Sequence, residues 1–478
     1  MPYGSTDLSK KRILSAFLVL CILLLPGCAA KEENASLLDP QKPVQISVWT
    51  YYNGPQLNAF NSLVSDFNRT VGKERGIVVE SFNHGSVEEL QEKVLDSVHG
   101  KVGAEEVPNI FAAYADTAYA VDKEGLLADM APFLTEEERT LYVENYLSEG
   151  AFKEGEIKIF PIAKSTELLL LNDTDWQPFA GECGLTYEDL STWEGIVETA
   201  AKYYEWSGGH AFFGRDAMAN YMLVGAAQLG EEITPVTDGK AALHFSKATA
   251  RKLWDCYYIP YVQGHFSSSG RFRSDDVKTE NILCYVGSSA SATYFPKEVT
   301  PDDHEQHAIE MKVLPTPHFE GGKPVAVQQG AGMVVTNSTE AEVYASVLFL
   351  KWFTEPERNI RFSLGSGYMP VMRSTNNMDA IATYAPDMDR DMREILTVSV
   401  DTVNEMELFY PSAFDSGTEV RRILEYSMSD LAVSDRQEVL NRIAKDIPED
   451  EALRDYLSDA HFEEWYNTIT NSLQELIP

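Results

Sequence analysis

Residues 44–67 read VQISVWTYYNGPQLNAFNSLVSDF, and the change of periodicity inside this stretch decides the fold. Its opening, VQISVWTYY, has the β-branched and aromatic content of a buried strand. After Gly54 and Pro55, the residues Leu57, Phe60, Leu63, Val64 and Phe67 recur at helical spacing, so an amphipathic helix starts directly behind a turn. The alternation continues downstream. GIVVESF (76–82) predicts a strand, Val87, Leu90, Val94 and Val98 mark one face of a helix, and PNIFAAY (108–114) predicts another strand. Strand, helix and strand at steps of about 25–35 residues imply βαβ units and a mostly parallel sheet.

Further along, LLLLN (168–172) follows the polar interruption AKSTE (163–167), and aromatic helices then dominate, among them WEGIVETAAKYYEW (193–206) and ARKLWDCYYIPYV (250–262). Strand texture returns in IEMKVLPTP (309–317) and GAGMVVT (330–336); a helix with apolar residues at 343, 347, 350 and 353 follows, and the C-terminal part is helical. This order, strand-rich then helix-rich and again strand-rich then helix-rich, predicts an α/β protein of two lobes. Each lobe is built from discontinuous segments, with two or three connections crossing between them. The length also exceeds what one core usually serves.

The N-terminus carries an address. Lys10, Lys11 and Arg12 precede an apolar run over residues 13–25, broken only by Ser15. At about 1.5 Å per residue that run is about 20 Å long, short of a bilayer core of about 30 Å, so residues 1–27 read as a signal peptide rather than a membrane span. The run stops at LLLPGCAAKEEN (23–34), in which LPGC resembles the bacterial lipobox, with Pro26 where a small residue is more usual. Cleavage before Cys28 would free a thiol for diacylglycerol attachment, and two acyl chains anchor a soluble protein stably. Residues 28–43 then read as a lipidated tether. The expected location is the extracellular face of a bacterial cell membrane.

The formal charge of the whole chain is −35, and removal of residues 1–27, which carry three cations and Asp7, takes it to −37. A surface of that sign repels phosphate backbones, which argues against nucleic acid as a partner. Beyond Cys28 the mature chain has only Cys183, Cys256 and Cys284. No disulfide framework or zinc motif follows, and the three read as small buried hydrophobes.

Six stretches in order, ISVWTYYNG, VPNIFAAYADTAYAVDKEGLLADM, IFPIAKSTELLLLN, VGSSASATYFP, KVLPTPHFEGGKPVAVQQGAGMVVT and LKWFTEPERNIRFSLGSGYMPV, carry a resemblance over residues 44–478. The chain resembles the family 1 extracellular solute-binding proteins, receptor subunits of ABC importers that include maltose-binding and glycerol-phosphate-binding members. The resemblance implies a two-lobed periplasmic-binding-protein-like fold whose ligand cleft closes by hinge bending. It puts the crossings near residues 163–167, 309–312 and 369–373, hence one lobe from 44–163 with 312–370 and the other from 164–311 with 371–478. It also implies a monomer that hands its solute to the transmembrane subunits of a permease, with no catalytic residues and no cofactor.

Polar solutes need donors and acceptors on cleft loops, and sugars also need aromatic faces. The candidates are Tyr114 and Asp116 in AYADTA, Ser165 and Glu167 in AKSTE, Ser288 and Ser289 in GSSASA, Gln329 and Gly330 in QQGAG, Tyr368 in GSGYMPV, and Tyr52 at the end of the first strand. Ser165 and Tyr368 match ligand residues of the family. The glycerol-phosphate-binding members carry a tyrosine where this chain has HGSVEEL, with Val87 near that place, and their late arginine has no counterpart in FYPSAFDSG, Arg421 lying a few residues on. A phosphate wants a guanidinium fork, so a sugar or oligosaccharide is the expected ligand, and glycerol 3-phosphate or another polyol phosphate the alternative. A secreted glycoside hydrolase ranks lower: carboxylate pairs are uninformative in so acidic a chain, and GxSxG, HExxH and GxxxxGK[ST] are absent. HEQH (304–307), flanked by PDD, reads as a solvated loop and not a metal site.

Overall fold

The computed structural model describes residues 37–237, 239–300 and 305–477; the signal segment and Cys28 lie outside them. The quoted stretch forms strand β1 (Val44–Thr50) and helix α1 (Gly54–Phe67). Pro55 occupies the first turn of α1, where a missing N–H has no partner to lose, and Phe60, Leu63, Val64 and Phe67 are buried. Strand β2 (Ile77–Asn83) pairs with β1 in parallel from Val44↔Ile77 to Thr50↔Asn83. Helix α2 (Val87–Val98) starts where the Ser86 side chain accepts the Glu89 N–H, with Glu88 and Glu89 favourably placed at the positive end of the helix. Strand β3 (Ile110–Ala113) takes the other side of β1, again in parallel, and leads into α3 (Ala115–Lys123) and later β4 (Ile159–Phe160).

The chain then crosses to a second sheet. Strand β5 (Glu167–Asn172) is buried along its whole length. Leu168 and Leu170 pack with Val277, Tyr285 and Val313 on one face, while Leu169 and Leu171 pack with Trp176, Phe213 and Trp254 on the other. A run of four leucines is what a strand covered on both faces requires. The lobe is completed by α4 (Asp173–Cys183), α5 (Trp193–Trp206), β6 (Phe213–Arg215), α6 (Met218–Gln228), α7 (Lys247–Gln263), β7 (Cys284–Ser288) and β8 (Met311–Pro315). The strand order is β8-β5-β7-β6; β5 is antiparallel to both neighbours, and only β6 and β7 run in parallel.

Strand β9 (Val325–Val327) leads back, and β10 (Gly332–Val335) inserts between β3 and β4, antiparallel to both, giving the first sheet its order β2-β1-β3-β10-β4. Helices α8 (Glu340–Phe353) and α9 (Pro356–Ser366) cover that sheet. Helix α10 (Arg390–Glu405) sends Ile395 into the second lobe's core and packs Leu396 and Val400 against Ile360 and Met369. Strand β11 (Glu407–Phe409) pairs in parallel with β9, and α11 (Gly417–Tyr426), α12 (Ser429–Ile443) and α13 (Asp459–Leu476) add to the second lobe.

Two expected boundaries move. Strand β8 lies in the second sheet, with Met311 opposite Asn172, so the return crossing falls at Gln328 to Ala331 and not at 309–312. Residues beyond 370 still belong to the first lobe: the Val371 carbonyl accepts the Val143 N–H at 3.1 Å, and Asn376 donates to the Tyr146 hydroxyl at 3.2 Å. The physical reason is shared. An apolar strand or strand end looks alike in either sheet, and only pairing assigns it. The second sheet also departs from the mostly parallel arrangement expected. Of the three cysteines, Cys256 and Cys284 are buried as expected but Cys183 is exposed, because α4 turns Trp176, Phe179 and Ala180 inward instead.

Candidate ligand site between the lobes

Three crossing segments lie side by side. Ser165 and Gln329 exchange backbone hydrogen bonds of 2.8 and 3.0 Å, and Lys164 and Met369 do the same at 3.2 and 2.6 Å. The Lys164 ammonium, only 2% exposed, donates to Glu149 at 2.6 Å and to the Gly330 carbonyl at 3.0 Å, and Gln328 shares the same Glu149 oxygen at 2.5 Å. Gly330 has φ +97°, and a Cβ there would meet Ala163 O at 3.2 Å and Ser165 N at 3.3 Å. The crossing strands can approach this closely only because that side chain is missing. Asn359 adds a clamp, donating to the Ile162 carbonyl at 2.6 Å and accepting the Val371 N–H at 2.8 Å.

On the first-lobe side, tyrosines gather over this crossing. The Tyr51 and Tyr368 hydroxyls are 3.3 Å apart, and Tyr51 shares a crevice wall with Tyr114 and Ala331. Burial pushes the phenols of Tyr51, Tyr114 and Tyr368 well above their usual range, so they remain neutral donors and acceptors. Beside them lies a crevice of about 10 Å³, lined by Tyr51, Tyr114, Val94, Ala112 and Ala331, with room for one water.

The second lobe answers with a buried polar chain. Glu167 pairs with Arg215 at 2.8 Å and accepts from Asn220 at 2.8 Å. Arg215 lies over the rings of Trp193 and Tyr221 at 5.6 and 5.3 Å, a cation–π arrangement. The Asn220 amide also donates to Gln329 at 2.8 Å, and its oxygen accepts from Arg421 at 2.8 Å. The charge of Arg421 also acts on Tyr114, lowering the pKa of a phenol that burial raises. One turn on along α11, Glu425 accepts the N–H groups of Met218 and Ala219 at 3.1 and 2.7 Å, satisfying the first turn of α6.

Contacts span the two lobes as well. Thr418 donates to Asp116 at 3.3 Å, Lys123 pairs with Asp415 at 2.6 Å, and the Tyr294 hydroxyl donates to the Asn53 carbonyl at 3.1 Å.

Of the sequence candidates, Tyr114, Gln329 and Tyr368 come together here, and Asp116 bridges the lobes. Ser165 contributes its backbone to the crossing, and Glu167 is taken up by Arg215 and Asn220. Ser288 accepts the Ala290 N–H at 3.3 Å. Three candidates are engaged in packing. Tyr52 is 1% exposed with its ring among Phe60, Phe362 and Tyr368, while its neighbour Tyr51 meets the Tyr368 hydroxyl. Ser289 is fully buried and donates to the Gly367 carbonyl at 3.0 Å, and Gly330 serves strand approach. The sequence offers Trp49, Tyr51 and Tyr52 together as aromatic faces, and of these Tyr51 meets the Tyr368 hydroxyl. Asn220 belongs to no local motif and is not legible in the sequence, and Arg421 is legible only as a residue a few positions beyond FYPSAFDSG.

A family model described as bacterial extracellular solute-binding protein matches residues 62–388. No curated protein matches the chain. Among solved structures, the chain is similar to UgpB from Mycobacterium tuberculosis in complex with glycerophosphocholine, at 16% identity and TM-score 0.68, covering 91% of this chain and 100% of that one. It is also similar to the cyclic α-maltosyl-1,6-maltose binding protein from Arthrobacter globiformis, at 17% identity and TM-score 0.62, covering 89% and 99%. A third is the maltose/maltodextrin-binding domain MalE from Bdellovibrio bacteriovorus bound to maltotriose, at 13% identity and TM-score 0.63, covering 90% and 100%.

Proposed function

We propose that this chain, which belongs to the bacterial extracellular solute-binding proteins, captures a sugar or oligosaccharide between its lobes and presents it to an ABC permease. The observation that carries the reading is the convergence, at the crossing, of the Tyr51, Tyr114 and Tyr368 hydroxyls with the amides of Gln329 and Asn220. Neutral hydroxyl and amide groups beside aromatic faces match the alternating hydroxyl and C–H surfaces of a sugar. Two structurally similar proteins, one bound to maltotriose and one named as a cyclic α-maltosyl-1,6-maltose binding protein, support the same class. The protein binds and releases, and no bond is made or broken. Calorimetric titration with maltose, maltotriose and cyclic oligosaccharides tests this: heat that saturates at one ligand per chain is expected, and its absence across all of them overturns the ligand class.

Arg421 supports a second reading, in which the solute is a polyol phosphate or phosphodiester. Its guanidinium donates to Asn220, which also bonds Gln329 at the crossing, so a cation is available there to an anionic solute. The similarity to a protein in complex with glycerophosphocholine favours the same reading. Titration with glycerol 3-phosphate and glycerophosphocholine decides between the two. Binding that is lost in Arg421→Gln and weakens with salt assigns the phosphate class.

We further infer lipid anchoring through Cys28 at the extracellular face of the membrane. The signal-like segment and LPGC support it, and a Cys28→Ala chain is expected in the medium rather than on washed cells. A chain that stayed bound would remove the anchor while leaving the receptor reading intact.

A further inference from the structure

At the end of β5 away from the crossing, three potential ligands from three chain segments converge. His307, in the short strand His307–Ala308, places Nε2 at 2.9 and 3.1 Å from the two oxygens of Asp175. Its Nδ1 is 4.0 Å from Oε1 of Glu280, which sits in the turn after helix Arg273–Lys278. Asp175 belongs to the first turn of α4. One donor atom from each residue fits within a span of 4.8 Å.

We propose that Asp175, Glu280 and His307 form a structural divalent-cation site of the zinc class in the second lobe. Ligand atoms about 2.0–2.2 Å from a tetrahedral ion stand roughly 3.3–3.6 Å apart; His307 offers one nitrogen to such an ion, and one donor atom from each of the three residues lies within 4.8 Å of the others. Side-chain rotations that draw both carboxylates around that one nitrogen would convert the cluster into a coordination shell, with water in the remaining position.

The surroundings are those of a metal site. Among the described residues neither carboxylate has a lysine or arginine partner, so two acids share one imidazole and negative charge is left over. Asp175 is also held from behind. Asn172, 2% exposed, donates to Oδ2 of Asp175 at 2.5 Å. Outer partners of this kind fix the orientation of metal-binding carboxylates and histidines. The donor set, one imidazole and two carboxylates without a thiolate, suits zinc or a neighbouring first-row ion better than the oxygen-rich shell calcium requires.

Position sets the role. Glu167 opens β5 at the crossing and Asn172 closes it, so the cluster lies about 17 Å from the ligand site at about 3.3 Å per residue. An ion here would staple α4, the 279–281 turn and the 307–308 strand without touching the solute.

The test uses the full chain, stripped with a chelator, desalted and titrated with zinc chloride, with melting followed in parallel. One ion per chain and a rise in Tm are expected. His307→Ala and Glu280→Gln are each expected to weaken binding about tenfold or more and to abolish the rise in Tm. Cys183→Ser, which removes the exposed thiol at the other end of α4, should leave both unchanged. The proposal is overturned by the absence of zinc-dependent heat and stabilisation in the parent, by binding that persists undiminished in Glu280→Gln, or by loss confined to Cys183→Ser. Because Glu280 sits in a surface turn, that variant decides the matter even if His307→Ala fails to fold.

Discussion

Tyr368 is tied to Tyr51 by a hydroxyl contact of 3.3 Å while its ring stacks on Phe362, so its polar and apolar ends serve different tasks. Tyr368→Phe keeps the ring and removes the hydroxyl. Solute affinity is therefore expected to fall about two- to tenfold, the effect of one hydrogen bond of about 0.5–1.5 kcal/mol, with Tm nearly unchanged; calorimetry and a thermal melt read the two separately. Asp216, at the end of β6, offers a pH signature. Burial pushes its carboxyl up to about 6, against the opposing pull of Arg273 and Arg215. A folded-state value above the unfolded one means the native protein holds the extra proton, so this group's contribution is present at low pH and is lost as pH rises through about 4–6. Melts across that window should show a downward component that Asp216→Asn lacks.

At the scale of elements, β5 joins lobe to crossing and is buried on both faces. Leu170→Ala removes a fully buried side chain between the sheet and its covering layer. A loss of about 2–5 kcal/mol is expected from denaturant unfolding, and a change well under 1 kcal/mol would show that the site collapses around the cavity. The ion pair of Lys164 with Glu149 and that of Glu167 with Arg215 flank the same crossing, both buried. Removing one partner of such a pair costs more than the pair itself contributes, since it strands a charge. Lys164 also reaches the Gly330 carbonyl, so its pair with Glu149 ties two of the crossing segments together, while the Glu167–Arg215 pair lies within the second sheet.

For the whole molecule, some of the contacts between the lobes are exposed polar pairs, which an opening cleft could break. The Tyr294 hydroxyl on the Asn53 carbonyl is one such latch. Tyr294→Phe should raise the solute's dissociation rate about two- to tenfold, the loss of one neutral hydrogen bond in the closed state, with little change in association. Stopped-flow measurement of both rates checks this, and an equal fall in association would contradict a latch role. The formal charge of the whole chain, −35, favours solubility and makes a cation such as Arg421, bonded to Asn220, the more consequential for an anionic solute.

The sequence by itself determined the element types and the two-lobed α/β class, because strand and helix periodicities are local and the run 44–67 displays both within one turn of each other. It also located the loops carrying Tyr114, Gln329 and Tyr368, since aromatic and amide residues at strand ends are legible one segment at a time. Which sheet β8 joins, which of Tyr51 and Tyr52 meets the Tyr368 hydroxyl, and that Asn220 links Gln329 to Arg421 were decided only by tertiary structure. Those facts depend on strand pairing and on contacts between residues far apart in the chain. A local pattern holds the propensity of a segment but not the identity of the surface it will be pressed against.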